Sequence, residues 1–237
     1  MITARIVAMV IAFLCCALAD ADGGPQHFSS VQDFLDSIPG LEKDQSKGAY
    51  GELSGPGRRD WAGAVLWMPA VQPDAGASLD YHQFFILTQG SDGTYTVAAK
   101  SKPEDFELST ETVKYEVTIS KSSVFFNAYT YWHGCGHGET HQFKYYKGQW
   151  RLVGVTFQIG AGQFEEDGSG GQDAVDIDRN VLTGNVIADI QPFNGKAVKK
   201  QFRVAPEMIL FQDSTIDNEL GWSKLFDAQL RGLNLGC

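Results

Sequence analysis

The chain has 237 residues, with 19 Lys and Arg against 29 Asp and Glu, a formal net charge of −10. That acidic excess argues against nucleic acid as the main partner and against docking on an anionic membrane surface, because both need clustered cations. Hydrophobic residues at 43%, aromatics at 12%, 26 glycines and only 20% charged residues argue against wholesale disorder and favour β structure with many turns.

Arg5 is the only charge before Asp20, and Ile6 to Ala19 is an uncharged, largely apolar run. It is shorter than the ~20 residues a membrane span needs. It ends in Ala17-Leu18-Ala19, a small-x-small cleavage site, so residues 1–19 are expected to be a signal peptide and the protein to be periplasmic or secreted. The exported chain would keep 18 cations (19 less Arg5) against 29 acids, a net of −11. Cys15 and Cys16 would leave with the signal. Cys135 and Cys237 remain, and in an oxidising compartment a disulfide between them is the economical reading, with two free thiols as the alternative.

Residues 20–60 read as an amino-terminal lead, a short helix and a loop. Ser30 caps the helix, Val31, Phe34, Leu35 and Ile38 recur at helical spacing, and Pro39-Gly40 stops it. Leu41 to Asp60 is polar and glycine-rich and reads as a long loop. Residues 61–213 read as an antiparallel β domain. Ala64 to Met68 is a continuous apolar run, as in a strand buried on both faces. Tyr81–Thr88 and Thr94–Lys100 flank the hairpin signal Asp92-Gly93. Tyr115, Val117 and Ile119 alternate with polar residues. A turn over Ser120–Ser123 leads to Val124–Trp132. Thr140–Tyr146 and Trp150–Ile159 form a hairpin around Lys147-Gly148, and Asn194-Gly195 joins Val186–Ile190 to Val198–Val204. Residues 214–237 read as a helical tail, with Leu220, Leu225, Phe226 and Leu230 at amphipathic spacing. Eight to ten antiparallel strands with short terminal helices predict an all-β sandwich or twisted double sheet.

The densest chemistry lies in Tyr131-Trp132-His133-Gly134-Cys135-Gly136-His137-Gly138-Glu139-Thr140-His141. On an extended strand, His137, Glu139 and His141 would share one face, and two imidazoles with a carboxylate suit zinc. Phe143 and Tyr145 share that parity, however, which points the face towards a core. The glycines favour a turn, which either presents Tyr131, Trp132, His133, Gly134, Gly136 and His137 to a partner or is purely structural. The cluster from Glu165 to Asp173, followed by Asp176 and Asp178, offers oxygen ligands for calcium. Its spacing fits no twelve-residue calcium loop, so it reads as a solvated loop. G-x-G-x-x-G, G-x-x-x-x-G-K-[ST] and G-x-S-x-G are all missing from the sequence. Cys135 between His133 and His137 is a weak imitation of a thiol nucleophile, because nucleophile and base usually come from separate elements.

Tyr95-Thr96-Val97-Ala98-Ala99-Lys100-Ser101, Tyr115 to Ser120, Thr140-His141-Gln142-Phe143-Lys144-Tyr145-Tyr146-Lys147-Gly148-Gln149-Trp150-Arg151-Leu152-Val153-Gly154 and Asn180-Val181-Leu182-Thr183-Gly184 together resemble a known group. It comprises secreted bacterial proteins related to invertebrate-type lysozyme inhibitors, some of which serve as immunity proteins against peptidoglycan hydrolases. The resemblance covers roughly Gly90 to Asp213. The group's loop usually reads Gly-Gly-Ser-x-Trp, whereas here Trp132 comes first. The resemblance implies an exported, non-enzymatic binding protein with no cofactor. Its partner would be a cell-wall hydrolase, met by the 131–138 loop. The alternatives are a zinc-binding envelope protein using His133–His141 and a structural, glycan-contacting envelope protein.

Overall fold

A computed structural model describes residues 26–41, 46–67, 80–106, 112–132, 135–161, 174–192 and 195–214. The expected signal peptide, the acidic cluster from Glu165 to Asp173, and the carboxy-terminal helix all lie outside these residues. Among the described residues, no helix is long and apolar enough to cross a membrane.

The described residues form thirteen strands in two antiparallel sheets, so the all-β expectation holds. The first sheet is built from β1 (His27–Phe28), β2 (Lys47–Gly51), β3 (Asp60–Trp67), β4 (Asp80–Gln89), β5 (Tyr95–Lys100) and β6 (Glu104–Phe106). Its order is β1-β5-β4-β3-β2, with β6 also paired to β4. The second runs β13-β12-β11-β10-β9-β8-β7. Its strands are β7 (Thr112–Ser120), β8 (Ser123–Trp132), β9 (Cys135–Tyr146), β10 (Gln149–Ala161), β11 (Ala174–Asn180), β12 (Asn185–Gln191) and β13 (Val198–Arg203). Neighbours in the second sheet are consecutive in the chain, and the two-residue turns between β7 and β8 and between β9 and β10 make antiparallel pairing of those neighbours direct.

The first sheet is apolar on both faces because both are covered. On β3, every residue from Trp61 to Leu66 is buried. Ala62, Ala64, Phe84 and Ile86 face the second sheet. Trp61, Val65, Phe85 and Leu87 face α1 (Val31–Asp36), which seats Phe34 against Phe28, Trp61 and Phe85. Helix α1 begins as its sequence dictates: the Ser30 side chain accepts from the Asp33 N–H at 3.0 Å. Gly40, at φ 72°, follows it.

The 20–60 segment is more than a lead and a loop, since β1 and β2 belong to the first sheet. The sequence Lys47-Gly48-Ala49-Tyr50-Gly51 becomes a strand for a non-local reason. The Trp61 ring lies across Gly48 and Gly63, where an added Cβ would come within 2.4 and 2.1 Å of it. Gly51 gives β2 similar room against Ile119 of β7, on the opposite sheet.

The β7–β8 turn consists of Lys121 and Ser122, both at positive φ (49° and 55°). Only glycine occupies that region without steric cost. Replacing Lys121-Ser122 by Asn-Gly is expected to raise stability by about 1 kcal/mol, read as a higher urea midpoint at unchanged slope. The Lys147-Gly148 turn between β9 and β10 has the same geometry (φ 51° and 81°) with glycine already in place.

Candidate functional site

The β8–β9 hairpin carries the candidate site. Its ladder pairs Ser123 with Lys144 at one end and Trp132 with Cys135 at the other, through an unbroken one-for-one register. Tyr131 pairs with Gly136, Thr130 with His137, and Tyr129 with Gly138. His133 and Gly134 lie outside the described residues, as does Cys237, so the proposed disulfide from Cys135 does too. The glycine-spaced stretch expected to be a loop is largely strand: β9 begins at Cys135, and Gly136 and Gly138 are paired on both sides, to β8 and β10. Gly138 suits a strand here because the Tyr129 ring lies against it, 3.1 Å from where a Cβ would sit.

Alternation places Glu139 and His141 on the inner face of the second sheet, as read from sequence. They meet directly, His141 Nε2 to Glu139 Oε1, at 2.6 Å. The His141 side chain is 1% exposed and that of Glu139 14%. His141 sits in register between Phe126 and Val155, both buried. The expectation that this face runs into the core holds for His141 and Phe143, while Tyr145 is 57% exposed. A zinc ion on this pair would first have to break the bond they make with each other. Among the described residues, no three His, Cys, Asp or Glu side chains converge as metal ligands.

A second histidine, His82 of β4, is buried in the same inter-sheet space, 5.3 Å ring to ring from Tyr115. Asp176 and Asp178, read from sequence as part of an acidic loop, lie on β11. There they alternate outward while Val175, Ile177 and Arg179 turn inward. Arg179 is buried and bonds Glu207. The outer face carries a transverse polar row in register, Asn127–Thr140–Thr156–Asp178. Within it, Thr140 donates to Asn127 at 2.7 Å and Thr156 to Asp178 at 2.6 Å.

Titration in the described chain is perturbed near β5. Burial pushes the Tyr95 phenol above its ordinary value, and its hydroxyl donates to the Arg59 carbonyl at 2.9 Å. In the turn before it, the Thr94 hydroxyl and N–H bond Asp92 and hold its carboxyl below the ordinary 3.8. These bonds therefore support the turn above that value and weaken as pH falls through the lowered one.

A cleft of about 730 Å³ lies beside β5, against the β9–β10 turn and the 3₁₀ turn Phe211–Asp213. Sequence reasoning missed it. No residue pattern marks it, because its lining comes from segments far apart in the chain.

Compared with known proteins, the chain matches no family model, no curated protein and no solved structure. What fold and site define is a class: an antiparallel double sheet in which the long β8–β9 hairpin is paired on both sides, to β7 and to β10. Several residues of the motifs singled out in the sequence hold turn and core positions. Lys147 and Gly148 make the β9–β10 turn, and Trp150 and Leu152 are buried. Gly184 (φ 73°) packs so closely that a Cβ would lie 2.1 Å from the Val204 carbonyl oxygen.

Proposed function

We propose that this protein is an exported, periplasmic or secreted binding protein that inhibits a peptidoglycan hydrolase, and that it is not itself an enzyme. Its contact surface is the end of the β8–β9 hairpin, from Tyr131 to Gly138. The observation that supports this reading is the uninterrupted β8–β9 ladder, continued by β10 pairing along the whole of β9. A strand of 12 residues spans ~40 Å. Backed on both sides, it holds its end as a stiff ribbon, and rigid elements present contact residues at low entropic cost. Tyr131, Trp132, His133 and His137 are of the residue types that anchor interfaces or donate to carboxylates, and glycoside-cleaving enzymes keep carboxylates in a groove. The net charge of −11 expected after export would speed encounter with a basic hydrolase.

The test is peptidoglycan turnover by an invertebrate-type lysozyme titrated with the purified protein. Stoichiometric slowing is expected, with association weakening as salt is raised. The double substitution Trp132→Ala, His133→Ala should weaken inhibition about a hundredfold, the effect of losing a central aromatic anchor. If a molar excess does not slow turnover, inhibition of this enzyme is excluded. Slowing that is unchanged in the double variant would move the contact surface elsewhere.

A further inference from the structure

We propose that the outer face of the second sheet binds one neutral pyranose sugar unit, in a pocket of about 200 Å³ floored by Gly154. This is a second site, separate from the end of the β8–β9 hairpin, and it does not rest on the inhibitor reading.

The pocket has its cause in the backbone. Between Leu152 and Gly154 the β9–β10 register shifts, so Val153 is an extra residue opposite β9. A bulge of this kind re-aims side chains and interrupts the even surface of a sheet. Beyond the shift, Gly154 pairs with Gln142 on one side and with Asn180 on the other, and Gln142 pairs with Phe125. The transverse row is therefore Phe125–Gln142–Gly154–Asn180, and it lies next to the row that ends in Thr140, Thr156 and Asp178. Gly154 has no side chain, so a gap two strand spacings wide, about 10 Å, opens between Gln142 and Asn180. Its volume is below the roughly 300–1,000 Å³ of sites for drug-sized ligands, which limits the occupant to a single small ring.

The lining selects the ring. Asp178 is exposed and accepts the Thr156 hydroxyl on one carboxylate oxygen at 2.6 Å, and a carboxylate has room for further donors. Gln142 donates its amide N–H to the Ser123 hydroxyl at 3.1 Å. Its Oε1 lies over Gly154, 3.1 Å from where a Cβ would sit. Asn180, also exposed, accepts the Thr183 N–H on Oδ1 at 3.0 Å, which leaves its NH2 to donate. Two acceptors and a donor thus line one gap, with Phe125 and Val153, both partly buried, as its apolar part. A pyranose offers the complement: hydroxyls that donate and accept around its rim, and a C–H face for an aromatic side chain. Charge narrows the occupant further. Arg179, the one cation in the lining, turns its guanidinium inward to Glu207 and the Ala205 carbonyl, so the exposed carboxylate of Asp178 disfavours an anion. A calcium ion takes about 6–8 oxygen ligands, several of them charged, and a single carboxylate among amides and hydroxyls does not supply them.

The experiment titrates the isotope-labelled full chain with methyl β-glucopyranoside, cellotetraose, sodium glucuronate, glycerol and calcium chloride. The glucoside is expected to shift the amide signals of Gln142, Gly154 and Asn180 and to leave those of Tyr129 to Gly138 in place. Tighter binding of cellotetraose at the same amides would identify the occupant as one unit of a glycan chain, and tighter binding of the glucoside would identify it as a free sugar. Glucuronate keeps the ring but adds a negative charge, and it should bind about tenfold more weakly. Asp178→Ala changes one exposed side chain and should lose about tenfold in affinity for the glucoside. Gly154→Val fills the gap and should abolish binding; if that variant does not fold, Asp178→Ala still decides. If neither sugar moves these amides, the proposal falls. It also falls if glycerol or calcium shifts them as strongly as the sugars do, or if Asp178→Ala binds the glucoside as tightly as the native chain.

Discussion

Replacing Phe126 with alanine is expected to destabilise the fold by about 4 kcal/mol, in the middle of the range for a buried aromatic. The reason is its position. Its ring lies 4.7 Å from Phe84 of the first sheet, 5.9 Å from Phe143 of the second and 5.8 Å from Phe211, which also packs on Phe143 at 4.8 Å. One side chain thus joins both sheets and the returning 204–213 segment, and it is 1% exposed. Truncation removes its transfer energy and leaves a cavity that three fixed rings cannot collapse into. With a urea slope of ~2 kcal/mol/M, the midpoint should fall by about 2 M. Phe125, one residue away and facing the outer groove, is the control, and its alanine variant should cost about 1 kcal/mol. Equal effects at the two positions would mean that this cluster does not hold the sheets together.

Local chemistry made much of this architecture legible in the sequence. Ser30 capping α1, the Lys147-Gly148 turn and the apolar run within β3 each carry their own instruction, and each stands where it was expected. The pairing of β12 with β13 also follows the expected hairpin, although Asn194 itself lies outside the described residues. Strands β1, β2, β6 and β11 escaped reading, as did the start of β9, and in several of these the cause is distant. Strand β2 depends on Trp61 covering Gly48. The start of β9 depends on Tyr129 covering Gly138. Strand β11 was hidden by Asp176 and Asp178, although Val175, Ile177 and Arg179 alternate beneath them. Arg179 in an apolar parity looks like a break in the pattern, and partners distant in sequence, the Glu207 carboxylate and the Ala205 carbonyl, receive its guanidinium. The same division applies to function. A cluster of indole and imidazole side chains announces itself in sequence, whereas a cleft lined by distant segments has no composition of its own.

A second large loss is expected at Asp60, where the contribution is polar. Asp60 is fully buried at the start of β3. Its carboxylate oxygens accept from the Leu53 N–H at 2.7 Å, the Ser54 N–H at 2.6 Å, the Ser54 hydroxyl at 2.8 Å and the Gln89 N–H at 2.8 Å. One side chain therefore satisfies both the connection between β2 and β3 and the last residue of β4. Asp60→Ala would strand these backbone donors away from water, and each stranded group costs about 1–3 kcal/mol, so a total near 4 kcal/mol is expected. Asp60→Asn keeps the shape but turns an amide NH2 towards N–H donors, which replaces at least one bond with a donor–donor clash; about 3 kcal/mol is expected. Urea unfolding measures both totals, and amide exchange shows where the loss falls. Leu53, Ser54 and Gln89 should lose protection together, although Gln89 is distant in sequence from the other two. If Gln89 keeps its protection while Leu53 and Ser54 lose theirs, Asp60 would be no more than a local turn residue. Loss at all three would establish that one buried carboxylate couples β2, β3 and β4 into the platform on which the second sheet rests.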